Sequence, residues 1–282
     1  MKTATSLPPL FVSHGSPMIA LEPGATGAFF GRLGQALDRQ FGRPRAVLAI
    51  SAHTATRQPV LLGAAQHETV HDFGGFPPPL YALRYDAPGA PALAAQAAGL
   101  LQAAGISVQV RPEGGLDHGI WTALMHLWPE PDVPVLPLSL MPHATPAEQF
   151  AIGAALAPLG DDGVLLLGTG SITHNLRLLS FGGPVEGVPE RPESAAFRRW
   201  VLERSAACDW AALFDYRRQA PHAALMHPTD EHWLPFYPPA GAGGRNHAPV
   251  RLHEGVTFGV LGMDAYAFGP QAAALARALQ AA

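Results

Sequence analysis

Thirteen histidines in a chain of 282 residues with only 14% charged side chains give the first chemical lead. Imidazole ligates zinc, iron, copper and nickel, and it is the side chain best suited to move protons near neutral pH. Placement matters more than number. Leu10-Phe11-Val12-Ser13 runs straight into His14-Gly15-Ser16-Pro17, and Val47 to Ala52 runs into His53-Thr54. A third apolar run, Val164 to Leu167, passes through Gly168-Thr169-Gly170-Ser171 before reaching His174-Asn175. Two more candidates, His118 and His232, sit in Gly115-Leu116-Asp117-His118-Gly119 and in Met226-His227-Pro228-Thr229-Asp230-Glu231-His232-Trp233. No pair has the i, i+4 spacing of a metalloprotease helix, so a metal site would have to be assembled from distant segments. A metal with a base beside it accounts for this set most simply. His67, His126, His143, His222, His247 and His253 lack comparable surroundings and read as structural.

The elements that would position these residues follow from the hydrophobic pattern. Leu10 to Ser13, Ala46 to Ser51, Val133 to Leu140 and Val164 to Gly168 are short apolar runs bounded by turn residues, as buried parallel strands are. Gly27 to Phe41, Pro91 to Ala104, Ile120 to Trp128 and Thr145 to Leu159 read as helices between them. The last opens with Thr145-Pro146-Ala147-Glu148, a capping residue, a proline at the first helical position and an acid at the third. Strand and helix alternate, which predicts an α/β fold: a single domain over residues 1–282 with a mostly parallel central sheet and helices on both faces. Ligands in such folds bind outside the carboxyl ends of the strands, where His14, His53 and His174 would converge. Glu193 to Cys208, Trp210 to Gln219 and Pro270 to Ala281 extend the helical pattern, Val256 to Met263 reads as a strand, and Pro235 to Pro249 is rich in proline and glycine.

Composition narrows the function classes. The formal net charge is −4, which fits neither a basic nucleic-acid binder nor a disordered polyelectrolyte. No apolar run approaches the roughly 18 residues of a membrane span, so no membrane partner is expected. The first residues lack the apolar core of a signal peptide, and one cysteine, Cys208, leaves no intramolecular disulfide; both point to the cytoplasm. The 30 glycines and 29 prolines punctuate loops between apolar segments. Ser16 lacks the Gly-x-Ser-x-Gly frame of a nucleophile elbow, which argues against a serine hydrolase. Monomer and homodimer fit equally well.

Six blocks in order carry a resemblance: His14-Gly15-Ser16-Pro17-Met18, Ser51-Ala52-His53, His71-Asp72-Phe73-Gly74-Gly75-Phe76-Pro77, Leu116-Asp117-His118-Gly119, His174-Asn175-Leu176-Arg177 and Pro228-Thr229-Asp230-Glu231-His232. Together they resemble the class III extradiol ring-cleavage dioxygenases, in the branch related to 4,5-DOPA dioxygenase and the LigB-type catalytic subunit. The resemblance implies a non-haem metal on His14, His53 and His232, with Glu231 or His227 as rivals for the third place. It also implies His174 as base or fourth ligand, and His118 as a catalytic group facing the substrate. The implied reaction opens a small aromatic diol, DOPA-like or related, with O2. Fe(II) is the metal that chemistry calls for, and Zn(II), which lies above iron in divalent affinity, is the competing occupant. Phe76, with Phe73, would wall the ring pocket; Arg177 would meet a substrate carboxylate; loops Phe76 to Tyr85 and Leu234 to His247 would contact the substrate tail. A zinc hydrolase activating water on the same histidines is the second reading, and a non-catalytic binding protein on the same scaffold the third.

Overall fold

The computed structural model describes residues 6–179 and 185–281. Its centre is a six-stranded sheet in the spatial order Val135–Pro137, Ala46–Ser51, Val164–Gly170, Leu10–Ser13, Ala265–Ala267, Val250–His253. The first four strands are parallel and the last two antiparallel. The central strands are buried on both faces, and alternate residues feed two separate cores. Phe11, Leu48, Ile50, Leu136 and Leu166 face the helices Pro91–Ala103, Pro146–Leu156, Pro192–Ala206 and Tyr237–Gly243. Leu10, Val12, Val47, Ala49, Leu165 and Leu167 face Gly24–Phe41, His118–Leu127 and Ala272–Gln280. The predicted α/β architecture is therefore the observed one.

Local signals placed several boundaries well. Thr145 accepts from the Glu148 backbone while Glu148 reaches back to the Thr145 N–H, a capping box that starts the helix Pro146–Leu156. The Trp210 to Gln219 helix is in fact two, Trp210–Phe214 and Tyr216–Gln219, and Val256 to Met263 is a hairpin of Val256–Thr257 with Leu261–Gly262. The strands Val250–His253, at the sheet edge and half polar, and Ala265–Ala267, only three residues long, have no apolar run that marks them in the sequence. The largest correction concerns Leu234 to His247. Rather than a substrate loop, Leu234–Phe236 is a 3-10 turn and Tyr237–Gly243 a buried helix. Small residues let that helix lie on its neighbour: a Cβ at Gly153 would stand 1.7 Å from the Pro238 carbonyl oxygen, and one at Gly241 1.9 Å from that of Phe150. Among the described residues no helix is long and apolar enough to cross a membrane.

Two more glycines bring the His232 segment onto the sheet. A Cβ on Gly168 would stand 2.0 Å from the Pro235 carbonyl oxygen, and one on Gly170 2.2 Å from that of His232. That His232 oxygen accepts the Ser171 N–H at 2.8 Å, so the approach is itself hydrogen-bonded. Gly170→Ala should therefore force backbone apart and cost about 1–3 kcal/mol, the usual range for overpacking. Denaturant unfolding checks this, and a change within about 0.5 kcal/mol would contradict the close approach.

Candidate active site

Strand register sets the height at which the site is built. Ser13 pairs with Gly170 and Ser51 with Thr169, so three parallel strands end level. His14 leaves the first with its N–H on the Gly170 carbonyl at 3.0 Å, and Ala52, just before His53, bonds the Thr169 carbonyl at 3.2 Å. His118 opens the helix His118–Leu127, whose N-cap Asp117 accepts from the Ile120 N–H and also from the Ser51 and Thr54 hydroxyls. That carboxylate ties the helix start to the turn bearing His53. His174 is held by its N–H on the Met226 carbonyl at 2.9 Å.

Five imidazoles consequently converge. Ring centroids lie 5.1 Å apart for His14 and His53, 4.0 Å for His53 and His118, 4.9 Å for His53 and His232, and 5.4 Å for His14 and His232. His174 stacks on His232 at 3.5 Å with the rings nearly coplanar in tilt, 5° apart. His14, His53 and His118 offer nitrogens that all fall within 4.8 Å of one another, so His118 stands inside the cluster as well as beside it.

Hydrogen bonds behind the rings decide where the lone pairs point. Thr169 Oγ1 donates to the Gly119 carbonyl at 2.8 Å and so can only accept from His14 Nδ1, 2.9 Å away. His14 Nε2 is then bare. His53 Nδ1 lies 3.5 Å from Asp72 Oδ2, and its Nε2 stands 3.1 Å from His14 Nε2. Burial lowers the pKa of His14 and His232 well below the ordinary value, brings His53 down to about 3 and His174 to about 4, with the neighbouring imidazoles adding to the effect. With neither ring protonated on Nε2 the two atoms would repel at 3.1 Å unless a cation lay between them; without one, a proton on His53 Nε2 bridges them. Two imidazoles on one such ion, at roughly 2.1 Å each, place their nitrogens about 3.0–3.4 Å apart. The donor set fits a divalent transition metal.

Over this cluster opens a cavity of about 490 Å³. His53, His118, His174 and His232 form its polar part, and Phe73, Phe76, Leu176, Leu179, Phe258 and Leu261 its apolar walls. Phe76 is thus where the sequence put it. Arg177 is not: it is exposed, between the two lining leucines, and no lysine or arginine lines the cavity among the described residues. His227 turns away, its buried Nε2 donating to the Ile172 carbonyl at 2.7 Å, and Glu231 does not line the cavity either. Sequence reasoning passed over Thr169, Asp117 and Asp72 as functional residues. Each adjoins a motif glycine or histidine, but only the folded chain reveals which ring nitrogen it meets.

Known proteins resemble this chain over most of its length. The family described as the catalytic LigB subunit of aromatic ring-opening dioxygenase matches residues 8–269. A 4,5-DOPA dioxygenase extradiol of Beta vulgaris is 37% identical, covering 92% of this chain and 95% of its own. One of Escherichia coli strain K12 is 34% identical, covering 93% and 94%. The crystal structure of an uncharacterized protein from Escherichia coli K12 superposes with a TM-score of 0.73 at 29% identity, covering 93% of this chain and all of that one.

Buried neutral histidines have a thermodynamic signature. In the folded metal-free chain His53 and His227 titrate near 3 and His174 near 4, whereas unfolded histidine titrates near 6.5. As pH falls below about 6.5 the unfolded chain takes up protons first, so stability is lost by up to about 1.4 kcal/mol per pH unit for each such group. Calorimetric Tm of the chelated protein should fall steadily from pH 7 to pH 5. A flat profile would mean that these rings are solvated.

Proposed function

Because this chain belongs to the LigB family of aromatic ring-opening dioxygenases and is an extradiol enzyme acting on catechols with O2, we propose that His14, His53 and His232 hold its metal. We assign His174 as the base and His118 as the group facing the substrate. The whole reaction then belongs to one α/β unit. The observation that supports this most directly is the approach of His14 Nε2 to His53 Nε2 at 3.1 Å, with His53 lining the apolar cavity. His232 is preferred over Glu231 and His227 because it alone of the three lines that cavity. With the family established, the zinc-hydrolase reading of the same histidines has no observation of its own.

The protein's part is to bind, orient and move protons. Phe73, Phe76, Leu176 and Leu179 would sandwich the aromatic ring and keep water from it. His174, neutral because it is buried, would accept a catechol proton and return it later; its stacking on His232 keeps it beside the metal without occupying a ligand position. When bound, the metal would gather the two phenolic oxygens and O2 and pass electrons between them, which Fe(II) does and redox-inert Zn(II) does not. We therefore propose Fe(II) as the working metal and Zn(II) as an inactive occupant. Cytoplasmic placement and a soluble monomer or homodimer, without nucleic-acid or membrane partners, complete the proposal.

His174→Ala should leave most of the metal in place and lower turnover roughly 10²–10⁴-fold, measured as O2 uptake with the Fe(II)-reconstituted enzyme. Undiminished turnover would remove His174 from the reaction. The wall chemistry makes a second claim. A carboxylate on the ring itself would be buried without a cationic partner, which is costly, whereas the charged end of DOPA is long enough to stay at the mouth. kcat/KM for protocatechuate should be at least about tenfold below that for 4-methylcatechol, a difference of about 1.4 kcal/mol. A preference for protocatechuate would place a cation in the cavity.

A further inference from the structure

Asp72 is a carboxylate for which the reaction as described has no task. Its Oδ1 accepts the His118 backbone N–H at 2.9 Å and the His118 Nδ1–H at 3.0 Å, while its Oδ2 lies 3.5 Å from His53 Nδ1. An ionised carboxylate only accepts, so His118 Nδ1 carries a proton and its Nε2 is free, and a proton on His53 Nδ1 would face Oδ2 in the same way.

We propose that Asp72 is a positioning residue: the carboxylate of this active site, set one imidazole behind the metal, where it fixes the tautomers of His53 and His118 together. The proposal rests on the ligand reading above. Iron sites that activate O2 commonly combine two histidines with one carboxylate. Three neutral imidazoles leave a divalent ion with one more positive charge than that arrangement does. Asp72 returns the missing charge through the His53 ring, because an imidazole whose far N–H points at a carboxylate is a more basic ligand.

Other carboxylates fit this task less well. Asp117 is the more buried, but its oxygens accept from the Ser51 and Thr54 hydroxyls and the Ile120 N–H, and it makes no hydrogen bond to an imidazole. Asp72 also stands one residue before Phe73. The contact that orients His118 therefore anchors the first residue of the aromatic wall, and ring pocket and metal floor share one tether.

Asp72→Asn tests this with little change of shape. Its amide offers one acceptor and one donor where the carboxylate offers two acceptors, so one ring must lose its partner or turn over. Zinc and cobalt affinities, measured by chelator competition, should fall about 10–100-fold, and the visible spectrum of the Co(II) form should shift. Asp72→Glu, which keeps the charge, should recover much of the affinity. Unchanged affinity with a superposable Co(II) spectrum in Asp72→Asn would overturn the proposal. Long-range 1H–15N correlation on the zinc-loaded parent protein needs no variant and must find His53 and His118 protonated on Nδ1; a proton on Nε2 of either would also overturn it. His53→Ala separates the two levels: full metal retention there refutes the ligand set itself, whereas loss of metal there with an unaffected Asp72→Asn refutes only the role of Asp72.

Discussion

Two neutral imidazoles held with their Nε2 atoms 3.1 Å apart are the constraint around which the molecule is organised. Left alone, they would rotate or take up a proton. Thr169, itself bonded to Gly119, orients the His14 ring, Asp72 Oδ2 lies 3.5 Å from His53 Nδ1, and burial makes protonation costly for both. The sheet supplies the scaffold for that opposition, because register pairing of Ser13 with Gly170 and Ser51 with Thr169 brings the two rings out at one level. The favourable partner for such an arrangement is a cation, and the energy to keep it poised comes from the packed layers on either side.

Around that core the site divides its labour by polarity. Charged and hydrogen-bonding groups lie beneath and behind the histidines, whereas the walls above are aromatic and aliphatic. A flat apolar ring with two adjacent oxygens matches such a division: the ring meets the walls and the oxygens meet the floor. The same division explains why the cluster stays neutral, since desolvation lowers the pKa of His174 and His232 as it does those of the rings beneath them.

Much of this was legible in the chain. Apolar runs ending at His14 and His53 announced the strands and their functional edge, because strand period and turn residues are local signals. Phe76 and the histidines of the six blocks came from motif order. What stayed hidden depends on partners remote in sequence. The Tyr237–Gly243 helix reads as a loop by its prolines and glycines, and becomes a helix only because Gly153 and Gly241 permit close packing. The nearness of Arg177 to His174 in sequence suits a substrate carboxylate, but a turn of the backbone exposes it. Asp72 is 46 residues from His118, and nothing local marks the bond between them.

The interleaved strand order also has a consequence for biosynthesis. Leu10–Ser13 and Ala46–Ser51 are made early, yet they are not neighbours: Val164–Gly170 lies between them. A nascent chain that already carries His14 and His53 cannot juxtapose them until residue 170 has left the ribosome, and His232 follows some sixty residues later still. Under the proposed ligand set, the three histidines would meet an ion together only in a nearly finished chain.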